Sequence, residues 1–93
     1  MTTRKMTKID KTLNNACRFA WCALNAQESK VARAQAYEAI DNAIEAFKKS
    51  TTLNSIWTLG FVRVLDSTMT WLQTEKKSDW KIAFDEASTN YCN

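Results

Sequence analysis

Glu38, Asp41 and Glu45 recur at three- and four-residue spacing, which places three carboxylates on one face of a helix. Such a set is the raw material of a divalent-cation site or an acid/base pair. Either use needs ligands converging from several elements and enough desolvation to move a pKa. These three lie opposite an apolar stripe, where a solvated charged face is expected. No metal site is assigned to them. Cys17, Cys22 and Cys92 are odd in number and unpatterned. On a helix Cys17 and Cys22 diverge by about 140°, so they do not form a disulfide with each other. Three scattered thiols without histidine also fall short of a structural zinc site. Cys17 reads as a core residue, and nothing places a base beside Cys22 or Cys92.

The strongest polar feature is the amino-terminal end. Residues 1–18 carry Arg4, Lys5, Lys8, Lys11 and Arg18 against Asp10 alone, so this end is +4 while the rest of the chain sums to −1. Arg4, Lys8, Lys11 and Arg18 share one helical side. Lys76, Lys77 and Lys81 form a second, smaller cluster. Were the two clusters to meet on one surface, they could bind phosphates with strongly salt-dependent affinity. No helix-turn-helix spacing with a central glycine is present, so groove-reading recognition is not indicated. Among the aromatics, Phe19 and Trp21 flank the apolar stripe of the first helix. Ile56 and Leu59 lie off the main stripe of the third. Partly exposed aromatics near Arg are the kind of side chain that dominates binding interfaces.

Composition removes most alternatives. The 93 residues contain no His, no Pro and one Gly. Imidazole-based triads, imidazole metal ligands and imidazole pH switches are therefore excluded. A single glycine cannot build a phosphate-cradling loop. With 45% hydrophobic and 25% charged residues, the chain has the makeup of an ordinary folded domain. No run approaches the ~20 apolar residues of a membrane span. The expectation is a cytoplasmic, non-enzymatic protein with no cofactor and no membrane association.

The elements that must position these residues are helical. Ile9, Leu13, Ala16, Cys17, Ala20 and Leu24 form an apolar stripe opposite the basic one, and Thr7 with Asp10 resembles a capping box. The Ala-rich run from Ser29 repeats Tyr37, Ile40, Ile44 and Phe47 in helical phase. A turn near residues 25–29 separates the two, because their apolar faces change phase there. Residues 56–72 are the most apolar, and their stripe of Trp57, Phe61, Val62, Val64, Leu65, Met69, Trp71 and Leu72 fills half a wheel. Such a face suits a central helix. Trp80, Ala83, Phe84, Ala87 and Tyr91 mark a short fourth helix. We therefore expect a single all-α domain, an antiparallel bundle of three or four helices with a central third helix. The predicted helices cover about 8–25, 29–49, 55–73 and 79–90, after a mobile basic arm at 1–7.

Short, free of histidine, rich in Trp and without a catalytic motif, the chain resembles in general style the small accessory and inhibitor proteins of phages and other mobile elements. Anti-CRISPR and other anti-defence proteins are among these. The likeness is one of size and composition and rests on no motif. It implies an interaction protein that binds a larger host protein or nucleoprotein and blocks or modulates it. Phe19 and Trp21 would be the anchors, and Arg4, Lys5, Lys8, Lys11 and Arg18 the steering charges. Two other readings stay open. One is direct binding of nucleic acid or a small phosphorylated ligand. The other is a homo-oligomer in which the basic face of helix one meets the acidic face of a neighbour's helix two.

Overall fold

A computed structural model describes residues 5–91, so Arg4 and Cys92 lie outside the described residues. The chain is all-helical: α1 spans Lys8–Asn25, α2 Lys30–Lys49, α3 Thr58–Thr74 and α4 Lys77–Asn90. Each boundary has a local cause. Thr7 and Asp10 form a reciprocal capping box at the start of α1. Ser29 caps α2 through its hydroxyl, which accepts from the Ala32 amide at 3.1 Å, so α1 and α2 are separate helices.

The third helix starts at Thr58, later than the expected 55. The Ser55 amide donates to Thr58 Oγ1 at 2.8 Å and the Trp57 amide donates to Ser55 Oγ at 3.1 Å. Side-chain oxygens thus hold residues 55–57 in a turn that competes with helix. The fourth helix starts at Lys77, earlier than the expected 79. The Thr74 hydroxyl accepts from the Lys76 amide and donates to the Asp79 carboxylate, which braces the turn from both sides.

Leu13, Leu24, Ile40, Val64 and Leu65 are fully buried, with Phe61 and Trp71 nearly so. Each such side chain contributes about 1.5–3 kcal/mol by leaving water. Both α1 and α3 pack against every other helix, whereas the backbones of α2 and α4 do not come close. The centre is therefore shared, and α3 does not hold it alone. Buried Ala16, Ala20 and Ala23 give α1 a side slim enough for its neighbours to approach. Thr12 and Ala46 border one groove, so the start of α1 lies beside the end of α2. Likewise a Cβ built on Gly60 would lie 3.3 Å from Asn90 Cβ, so the start of α3 meets the end of α4.

Candidate interaction surface

The candidate surface is built on a buried polar knot. Asp10 is completely buried. Its Oδ2 accepts from the Thr7 amide at 2.9 Å, and its Oδ1 accepts from Thr58 Oγ1 at 2.6 Å. The Ser55 and Thr58 hydroxyls are 3.1 Å apart. Burial by itself pushes the carboxyl pKa up. The hydrogen bonds from Ser55, Thr58 and Thr7 outweigh it and hold the pKa below its ordinary value. The capping residue of α1 is thus also the post to which the segment before α3 is tied. Sequence reasoning found only the first role. The signal for the second was Asp10's place on the helical wheel, close to Cys17 on the apolar side.

The tied segment presents an apolar edge to solvent. Leu53 is 67% exposed, Ile56 56%, Leu59 59% and Trp57 38%. Trp57 was expected within the apolar stripe of the third helix. It stands instead at the end of the turn, as the residue before the helix. Ile56 and Trp57 border an open cleft of about 420 Å³ with Met6, Asn14, Asn90 and Tyr91. The same end of the molecule is positively charged. Lys8 shares a groove with Ser50 and Thr52, and Lys5, Lys8, Lys11, Lys48 and Lys49 are all exposed.

The residues singled out from sequence separate into three places. Lys8, Lys11 and Arg18 are exposed along one side of α1, and the first two border a groove floored by Ala16, Ala39 and Ala43. Phe19 lies farther along that side, facing Gln35, Glu38 and Asn42 of α2. Trp21 points away from it toward α4. Its ring centroid is 5.2 Å from that of Phe84, which is 5.0 Å from that of Trp80. Trp80 in turn donates Nε1–H to the Leu24 carbonyl at 2.9 Å. Phe19 and Trp21 therefore do not share a patch.

That last bond also locates the second basic cluster. Lys76, Lys77 and Lys81 surround the start of α4, beside Leu24 and about 24 Å along α1 from Lys8 at 1.5 Å per residue. Lys81 pairs with Asp85 at 3.0 Å. The Lys8 and Lys76 ends do not merge into one phosphate-binding surface.

Glu38, Asp41 and Glu45 are exposed, and among the described residues no group of His, Cys, Asp or Glu is gathered to hold a metal ion. Cys17 is buried, with Sγ 3.8 Å from the Phe61 carbonyl, and Cys22 is exposed. Among the described residues no helix is long and apolar enough to cross a membrane. No family model, curated protein or solved structure matches the chain.

Proposed function

We propose that this chain is a non-enzymatic interaction protein, an antiparallel helical bundle that binds a larger cytoplasmic protein or nucleoprotein and blocks or modulates it. The observation that carries the reading is the edge of Leu53, Ile56, Trp57 and Leu59, exposed side chains on and beside a turn anchored by buried Asp10 and Thr58. Large apolar side chains on a flexible loop lose entropy when they bind, at about 0.5–1.5 kcal/mol for each one immobilised. Here the backbone from Ser55 onward is already held by hydrogen bonds. Trp is also the residue type most enriched among interface anchors. The exposed lysines around the edge favour an acidic partner surface and speed its encounter.

This reading moves the anchors from Phe19 and Trp21 to Trp57 and its neighbours and keeps Lys5, Lys8 and Lys11 as steering charges. Direct nucleic-acid binding is less favoured, since the two basic clusters lie far apart. The test is affinity capture from cell lysate treated with nuclease. A defined protein retained by the unmodified chain should be lost with Trp57→Ala and with Leu59→Glu. It should persist with Ile82→Glu, an exposed position on α4. Retention by a folded double variant at Trp57 and Leu59 would remove this surface from the proposal.

A further inference from the structure

We propose that the face formed by α1 and α2 is a two-fold self-association surface, on which a second copy of the chain lays its α1 over the first copy's α2. The two helices lie side by side, and a shallow groove runs between them from Ser50 to Phe19. Exposed Lys11 borders it on α1, and exposed Arg18 follows two turns later on the same side of that helix. Exposed Glu38 borders it on α2, and exposed Glu45 lies two turns away on the same side of that helix. Groove contacts set the levels: Thr12 stands beside Ala46, and Phe19 stands beside Glu38. Lys11 and Glu45 are the immediate chain neighbours of Thr12 and Ala46, and Arg18 is the neighbour of Phe19. Because the two helices run in opposite directions, Lys11 and Glu45 lie about 3 Å apart along the groove and Arg18 and Glu38 about 1.5 Å apart, offsets that these long side chains span.

A two-fold axis along the groove keeps every residue at its own level and exchanges α1 for α2. Lys11 of each copy then faces Glu45 of the other, and Arg18 faces Glu38. Both copies obey the same pairing, as a closed isologous dimer requires. An axis across the helices would instead set α1 on α1, with lysine and arginine opposed, so charge selects the first arrangement. The remaining contacts suit it. Phe19 borders the groove, so the two copies bring their exposed rings together near the axis. The alanine floor lets the backbones approach.

Apart from Lys11, which also serves as a steering charge in the function proposed above, the inference uses side chains outside the Leu53 to Leu59 edge. Its readout is the mass of the purified chain and not capture of a partner, so the two can fail separately. Because the axis runs along the helices, both copies present that edge at the same end, a geometry suited to bivalent binding.

Sedimentation equilibrium of the full chain tests it. The average mass should rise toward twice that of one chain with concentration at about 50 mM salt and fall toward the monomer at about 500 mM, where exposed charges are screened. Lys11→Glu with Arg18→Glu should weaken association at least about tenfold, and so should Glu38→Lys with Glu45→Lys. Mixing the two double variants should restore a dimer containing one of each. Phe19→Ala should weaken association without changing its salt dependence. A monomer at all concentrations in low salt, salt-independent association, or failure of the two folded variants to recombine would each overturn the proposal.

Discussion

Thr58 Oγ1 donates to Asp10 Oδ1 at 2.6 Å, which joins the first residue of α3 to the first turn of α1 across 48 positions of sequence. Both side chains are completely buried. A carboxylate in that position is tolerable only while its lone pairs are filled, since removing one donor exposes the full desolvation cost of the group. The bond also fixes where the exposed turn carrying Ile56 and Trp57 begins.

Thr58→Val keeps the shape of the side chain and deletes the donor. It should lower stability by about 1–3 kcal/mol in urea unfolding. In a double-mutant cycle with Asp10→Ala, the two changes should be coupled by at least about 0.5 kcal/mol, because one variant removes the partner of the other. Additive losses would show that the bond contributes nothing beyond its separate ends.

The same carboxylate sets a pH dependence. Its folded-state pKa lies below the ordinary value of 3.8 near which it titrates in the unfolded chain, despite burial, because Ser55, Thr58 and Thr7 donate to it. Within that window the unfolded chain holds the proton more tightly, so stability rises with pH. The contribution is complete above the unfolded value and is lost as pH falls through the folded one. Unfolding free energies measured from about pH 6 down to about pH 2 should decline more shallowly for Asp10→Asn than for the unmodified chain, once the other carboxylates are common to both. Parallel curves would mean that the buried carboxyl has no depressed pKa.

Trp21 and Trp57 should separate stability from binding. Trp21 is half-buried and stacked on Phe84, so Trp21→Ala should cost about 2–3 kcal/mol, less than a fully buried Trp because part of the ring already meets water. Trp57→Ala, at the exposed edge, should cost less than about 1 kcal/mol. Thermal unfolding of the two variants checks the order. Equal losses would place Trp57 in the core and remove it as an anchor.

These two residues also mark how far the sequence could be read. The helices were legible because no proline and only one glycine interrupt the apolar phase, and because Thr7, Asp10 and Ser29 supply recognisable caps. Trp57 was misplaced because a helical wheel assumes helix throughout, and the Ser55 and Thr58 side chains hold residues 55–57 in a turn. Asp10 looked like a cap alone because its second partner is remote in sequence. The acidic and basic stripes were visible separately. Their relative heights are set by tertiary packing, which puts Thr12 beside Ala46 and Phe19 beside Glu38.

Glu75 offers a test in which two effects compete. It ends α3 at φ 58°, a left-handed conformation that costs a residue with a side chain about 1–2 kcal/mol and costs glycine almost nothing. Against this, its carboxylate accepts from Arg33 at 2.9 Å. Glu75 is largely exposed, and ion pairs of that kind are worth about 0–1 kcal/mol. The backbone effect is the larger, so Glu75→Gly should raise stability by about 0.5–1 kcal/mol, even after loss of the pair and the added freedom of the unfolded chain. Glu75→Gln retains the left-handed strain and loses the charge, so it should fall at or slightly below the unmodified chain. A Tm for Glu75→Gly below that of Glu75→Gln would show instead that the Arg33 contact, or unfolded-state entropy, outweighs the strain at this turn.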